Sequence, residues 1–119
     1  MATNVPKILL HNEKGKHEGE IGSYCWNGIC VDKGLPKNKP PKEKIKKRRD
    51  SEVSFDVEGH STPSNFSVTI FSEDNKIVLT RTIEKKLKLN LPAGDYLVNV
   101  MARWLAGEDV SYSFFVEII

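Results

Sequence analysis

Apolar and polar residues alternate with a period of two along much of this chain, which is the spacing of half-buried β-strands. The pattern is clearest near the C-terminus, where Val110, Tyr112, Phe114, Val116 and Ile118 fall on one face of a single strand. Shorter alternating or apolar runs occur throughout, and residues that favour turns separate them. We predict strands over residues 8–10, 20–26, 53–57, 66–70, 77–79, 87–91, 97–104 and 110–118.

Short strands at regular spacing, without helical periodicity, predict an all-β fold. The Gly94-x-Tyr96 sequence before the penultimate strand is similar to the tyrosine corner of immunoglobulin-like domains, in which the hydroxyl bonds to upstream backbone. With 119 residues and a mass of 13.5 kDa, the chain has room for one core. We therefore expect one domain over 1–119, an immunoglobulin-like antiparallel β-sandwich.

The hexapeptide from Cys25 to Cys30 predicts a β-hairpin. Asn27-Gly28 between strand-like residues favours a type I′ turn, because both turn residues then need a positive φ. Trp26 and Ile29 become the pair beside the turn, so Cys25 and Cys30 form the next pair, with Cα atoms about 4.5 Å apart. That separation suits a disulfide, and we expect a disulfide-bridged N-terminal hairpin.

Other uses of the two cysteines are less well supported by their spacing. A structural zinc site needs four ligands, and the histidines show no ligand spacing relative to this single cysteine pair. A thioredoxin-like site needs Cys-x-x-Cys at the start of a helix, whereas four residues separate these cysteines. Two free buried thiols remain the next alternative to the disulfide. We expect no metal and no cofactor.

The positive charge of the chain is concentrated in one segment. Residues 33–49 contain nine of the 18 Lys and Arg residues and one acid, a local net charge of +8, although the whole chain carries only +2. Pro40-Pro41 and the missing apolar periodicity favour an extended or mobile connector over 33–50. The absence of aromatic residues in this segment argues against single-stranded nucleic acid as a partner.

Two groups of residues are candidates for binding. The tryptophans lie beside predicted turns, where aromatic side chains can anchor a partner, although they can equally pack on each other. The basic residues could attract an anionic cell-wall polymer or a membrane surface. The candidates are Trp26, Trp104, Lys44, Lys46, Lys47, Arg48 and Arg49.

The segment from Gly22 to Trp26, followed by Cys30-Val31-Asp32, resembles a G-S-Y-C-W…C-V-D motif of uncharacterised secreted proteins and lipoproteins of Gram-positive bacteria. Those proteins also tend to end in an alternating strand after a Trp and a Gly turn, which is similar to Trp104, Gly107 and the residues after them. The resemblance implies an exported, surface-associated β domain without known activity, and it assigns no catalytic residue.

These observations favour a non-catalytic extracellular or cell-surface binding module whose ligand is a protein or an anionic cell-wall polymer. An immunoglobulin-like protease inhibitor is the alternative, and a small redox enzyme is a weaker third. No window of the sequence is apolar enough for a membrane span. Residues 1–10 lack a signal-peptide pattern, so export predicts that such a signal has been removed ahead of Met1.

Overall fold

The computed structural model describes residues 5–12, 15–33 and 44–119, and the regular elements in these ranges are β-strands. Three predicted runs, 8–10, 53–57 and 66–70, extend by one or two residues at each end, which is normal for sequence-based boundaries. The strands are β1 (Lys7–Asn12), β2 (Gly15–Glu18), β3 (Glu20–Trp26), β4 (Ile29–Val31), β5 (Lys44–Lys47), β6 (Ser51–Glu58), β7 (Asn65–Ser72), β8 (Ile77–Ile83), β9 (Lys86–Leu89), β10 (Gly94–Arg103) and β11 (Asp109–Ile118).

The strands form two sheets that pack as a sandwich. The smaller sheet has the order β2-β1-β6-β9, and the larger one has the order β4-β3-β11-β10-β7-β8. Strand β5 joins the larger sheet by pairing in parallel with the second half of β11, on the edge that β3 occupies along the first half. The predicted all-β sandwich is confirmed, and its strand order is consistent with an immunoglobulin-like arrangement. Among the described residues no helix could span a membrane.

The inner faces of the two sheets supply the core. The five alternating residues of β11 that predict its inner face are all buried, which confirms that prediction. Phe55 of the smaller sheet connects the layers, since its ring lies 6.1 Å from that of Phe66 and 5.9 Å from that of Phe114, both in the larger sheet. Aromatic pairs at these separations add to the stabilisation from buried apolar area.

A hydrogen bond fixes the start of β10. The hydroxyl of Tyr96 donates to the carbonyl oxygen of Pro92 over 2.7 Å, and the Tyr96 ring is buried. This is the contact that the Gly94-x-Tyr96 sequence predicts. The bond holds the loop that precedes β10 against the strand and so fixes the backbone conformation at the start of β10.

The sequence pattern does not predict β5, because residues 44–50 fall within the expected connector. The structure places Lys44–Lys47 in a ladder with β11 and buries Ile45 and Lys47, so this part is an ordered strand of the sandwich. Residues 34–43 of the connector lie outside the described residues. Strand β2 is likewise unpredicted, because the turn-like composition of this region concealed its short pairing with β1.

Candidate functional site

The predicted hairpin is present in β3 and β4. Trp26 pairs with Ile29 and Cys25 with Cys30, and the turn residues Asn27 and Gly28 have φ angles of 52° and 77°. The two cysteines form a disulfide, with their Cα atoms 4.0 Å apart. The covalent bond therefore closes a tight turn whose strand pairing is already in register. Both the hairpin and its cross-link are confirmed.

Ser23 forms hydrogen bonds within the hairpin and to β11. Its hydroxyl donates to Asp32 Oδ1 over 2.9 Å and accepts from the backbone nitrogen of Lys33 over 3.0 Å, so it links β3 to the end of β4. The ladder between β3 and β11 shifts register beside Ser111, where β3 carries an extra residue. Ser111 Oγ donates to the carbonyl oxygen of Ser23 over 2.7 Å and so satisfies this irregular stretch of backbone.

Three aromatic rings, one of them from the hairpin, pack against one another. The ring of Trp26 lies 5.2 Å from that of Trp104 and 4.8 Å from that of His60, and the third pair is 5.4 Å apart. All three pairs meet edge to face, an arrangement that the ring quadrupoles favour. Trp104 Nε1 donates to the carbonyl oxygen of Ser61 over 3.0 Å. The two tryptophans therefore pack on each other, which is the structural alternative to partner anchoring that the sequence left open.

The turn between β10 and β11 is tied to the hairpin tip. The backbone nitrogen of Asn27 donates to Glu108 Oε2 over 3.2 Å. Within the turn, Trp104 N donates to the Glu108 carbonyl oxygen and Gly107 N to the Trp104 carbonyl oxygen, over 3.0 and 2.9 Å. Gly107 adopts a φ of 94°, which a residue with a side chain rarely takes. The two turns therefore form one connected surface.

We call this surface, made of residues 26–30, 59–61 and 104–108, the hairpin end. It exposes apolar side chains although its base is buried: Leu105 is 97% exposed and Ile29 is 51% exposed, whereas Trp26 is 3% exposed. Sequence reasoning missed Leu105 and His60 as members of this surface. The signal for Leu105 was an apolar side chain at the start of a turn, while no local pattern places His60 in contact with two tryptophans.

The five basic candidates do not reach the hairpin end. They lie in β5 or directly after it, and β5 pairs with the second half of β11, whereas the hairpin tip lies beside the first residues of β11. Lys44 Nζ lies 3.3 Å from Asp95 Oδ1, and Lys47 is only 5% exposed. All of the basic candidates except Lys47 are exposed. The basic residues concerned are Lys44, Lys46, Lys47, Arg48 and Arg49.

Cysteine, serine and histidine side chains lie at or beside the hairpin end. The sulfur atoms of Cys25 and Cys30 are bonded to each other, so neither is a thiolate. Ser61 Oγ lies 3.1 Å from His60 Nδ1, and the exposed His60 ring packs edge to face against both tryptophans. Within the described ranges, no three His, Cys, Asp or Glu side chains are grouped so that they could hold a metal ion. The side chains that this surface exposes most are the apolar ones of Leu105 and Ile29.

Comparisons with protein-family models, with curated proteins and with solved structures give no match to this chain.

Proposed function

We propose that this protein is a non-catalytic, exported binding module that contacts a protein partner through the hairpin end. The observation that carries the proposal is the near-complete exposure of Leu105 in a turn that is hydrogen-bonded to a disulfide-closed hairpin. Full burial of a leucine side chain is more favourable than its exposure to water by about 1.5–3 kcal/mol. Insertion into a pocket of a partner recovers that free energy.

The support beneath Leu105 favours binding because it is ordered before the partner arrives. The disulfide, the aromatic cluster and the bond between Asn27 and Glu108 restrict the motion of both turns. A surface that is already ordered loses less conformational entropy on association. Leu105 and Ile29 would then act as apolar anchors, surrounded by the polar backbone and side chains of the two turns.

An exported location is consistent with the cross-link, since disulfides persist in oxidising compartments and are rare in reducing ones. The resemblance to secreted and lipoprotein-like domains of Gram-positive bacteria supports the same proposal. The two segments that carry this resemblance contact each other, because Trp26 packs on Trp104 and Ser111 Oγ bonds to the Ser23 carbonyl oxygen. Residues of both segments therefore form the contacts beneath the hairpin end.

Binding of the fluorescently labelled protein to intact Gram-positive cells tests the proposal. At a salt concentration that screens electrostatic attraction we expect saturable binding, and it should be lost when the cells are first treated with a protease, because the partner is a protein. L105S should weaken binding by about tenfold, the effect of losing about 1.4 kcal/mol of apolar contact. I119S is the matched control, because Ile119 is also an exposed apolar residue, at 60%, but lies at the other end of β11.

Equal binding of L105S and the unmodified protein would overturn the role of the hairpin end. Binding that is unchanged by protease treatment and by L105S, and that weakens only with salt, would instead identify an anionic polymer as the sole ligand. Near-ultraviolet circular dichroism should show the same folded state for both variants, because each substitution removes an exposed side chain.

A protease inhibitor remains the second candidate, and the same projecting Leu105 is the observation in its favour. A side chain that stands clear of the surface can enter the specificity pocket of a protease. The turn is nevertheless tight, since Gly107 N bonds back to the Trp104 carbonyl oxygen, so it does not offer the extended backbone of a substrate. Assays against serine, cysteine and metalloproteases test this candidate, and the absence of inhibition by the intact protein would eliminate it.

A further inference from the structure

The described part of the basic segment is displayed on ordered backbone. Ile45 and Lys47 are buried in the sandwich, and the last residue of β5 is held by a bond from Ile119 N, just after β11, to the Lys47 carbonyl oxygen, 2.9 Å long. The turn that follows is held by a bond from Ser51 N to the Arg48 carbonyl oxygen, 3.1 Å long. Asp50 adopts a φ of 66° there. Residues 44–51 thus form a defined surface.

Two guanidinium groups on this turn are available to a ligand. Arg48 and Arg49 are exposed, and neither forms an ion pair with a carboxylate among the described residues. Arg49 Nε donates to Asn90 Oδ1 over 3.4 Å, which orients the group and leaves its terminal nitrogens free. Exposed Lys46 precedes them, and Asp50 is the one acid between 44 and 50.

We propose that Arg48 and Arg49, together with Lys46, form a second binding site, for a linear polyol-phosphate polymer of the kind found in bacterial cell walls. The planar fork of a guanidinium group matches the oxygen atoms of a phosphate, and adjacent arginines can contact successive phosphates along a chain. The inference goes beyond the proposed function, because it concerns a different surface and a different class of ligand.

The composition of the site favours this polymer over nucleic acid. Proteins that bind single-stranded nucleic acid gain much of their affinity when bases stack on aromatic side chains. Residues 44–50 contain no aromatic side chain, so they offer charge and hydrogen bonds alone. A polyol-phosphate chain has no bases to stack and presents its phosphates on a flexible backbone, which suits a site of this composition.

The two sites lie at opposite ends of the sandwich. Strand β11 runs from Asp109, beside the hairpin tip, to Ile118, which pairs with Lys47. Its ten residues span about 30 Å at roughly 3.3 Å per residue. A protein bound at the hairpin end and a polymer bound at Arg48 and Arg49 would therefore not compete for space. The molecule would hold a protein partner at the cell wall.

Titration of the intact protein with a synthetic poly(glycerol phosphate) oligomer, followed by calorimetry at several salt concentrations, tests the inference. We expect R48Q/R49Q to weaken binding by about tenfold and to reduce the slope of log K against log salt by about 1.4, since each phosphate contact contributes about 0.7 on a single-stranded polymer. The control K16Q/K85Q removes the same charge from exposed lysines elsewhere and should change affinity by less than about threefold.

Equal weakening by the two double variants would overturn the site, because the net charge of the molecule would then explain binding. The absence of measurable binding at about 50 mM salt would overturn it as well, since counterion release is strongest at low salt. An oligothymidine of the same charge should bind more weakly than the polyol-phosphate, and equal or tighter binding would contradict the assigned polymer class. L105S should leave polymer binding unchanged, which separates this test from that of the hairpin end.

Discussion

Ser111 donates its hydroxyl proton to the carbonyl oxygen of Ser23 over 2.7 Å, although 88 residues separate them in the chain. Ser111 is 4% exposed, so the bond lies away from water. It satisfies the backbone where β3 carries an extra residue against β11, and the hydroxyl of Ser23 in turn bonds to Asp32 and Lys33. One buried hydroxyl thus connects the hairpin to the central strand of the larger sheet.

Substitution S111A should lower the free energy of unfolding by about 1–2 kcal/mol, because it leaves the Ser23 carbonyl oxygen buried without its partner. S113A is the matched control. Ser113 is also buried, but its hydroxyl contacts Asn99 Oδ1 at the longer distance of 3.4 Å, so we expect a smaller loss. Urea denaturation measures both values. A loss from S113A that equals or exceeds that from S111A would show that the bond to Ser23 is not the important one.

Reduction of the Cys25–Cys30 disulfide should lower the free energy of unfolding by about 2 kcal/mol, because the closed loop is short. The fold should persist, since the pairing of β3 with β11 and the aromatic cluster do not depend on the bond. Intact mass with and without reductant checks the bond itself, and urea denaturation checks the energy. Complete unfolding of the reduced protein would contradict the prediction that the fold persists without the disulfide.

Substitution Y96F should cost about 1 kcal/mol of stability, the net value of one hydrogen bond, because it removes the donor to Pro92. Y24F removes a hydroxyl from another tyrosine of the larger sheet and serves as the control, with an expected loss below about 0.5 kcal/mol. Thermal and urea denaturation should agree on the difference. If Y96F is as stable as the unmodified protein, the tyrosine corner contributes nothing here.

Alkaline pH should destabilise the protein through Tyr112. Burial, with smaller contributions from Glu18 and Tyr24, raises the pKa of Tyr112 to about 12. In the unfolded chain a tyrosine ionises near pH 10, so the folded state retains a proton that the unfolded state releases. The resulting stabilisation is complete below about pH 10 and is lost as the pH rises towards 12.

Y112F cannot ionise, so its stability should decrease less than that of the unmodified protein between about pH 10 and pH 12. Urea denaturation at pH values on both sides of this interval measures the difference. Y24F is the comparison variant: it removes one of the smaller contributions to the raised pKa of Tyr112, so it should retain most of the pH dependence of the unmodified protein. Parallel losses in Y112F and the unmodified protein would show that Tyr112 is not the group responsible.

The sequence predicts those parts of the fold whose cause is local. The Asn27-Gly28 turn sets the register that brings Cys25 to Cys30, and the period-two pattern of β11 identifies its buried face. Both follow from backbone conformation and side-chain alternation over a few residues. The Gly94-x-Tyr96 sequence also acts over a short distance, because its hydroxyl reaches only four residues upstream.

The parts that the sequence does not predict depend on distant partners. Strand β5 is a run of lysines around Ile45, and it becomes a strand only because Phe115–Ile118, some 70 residues later, offers a free edge. His60 joins the tryptophan cluster for a similar reason, since three separate loops converge there. The hairpin end could therefore be predicted as a cross-linked turn, but not as a surface that exposes Leu105.

Photo-crosslinking from position 105 tests the central proposal most directly. The protein would carry a photoreactive amino acid in place of Leu105, or in place of Ile119 as the control, and would be irradiated on intact cells. We predict one discrete protein adduct from position 105 and none from position 119. Adducts of the same kind from both positions, or no protein adduct from position 105, would contradict a protein-binding role for the hairpin end.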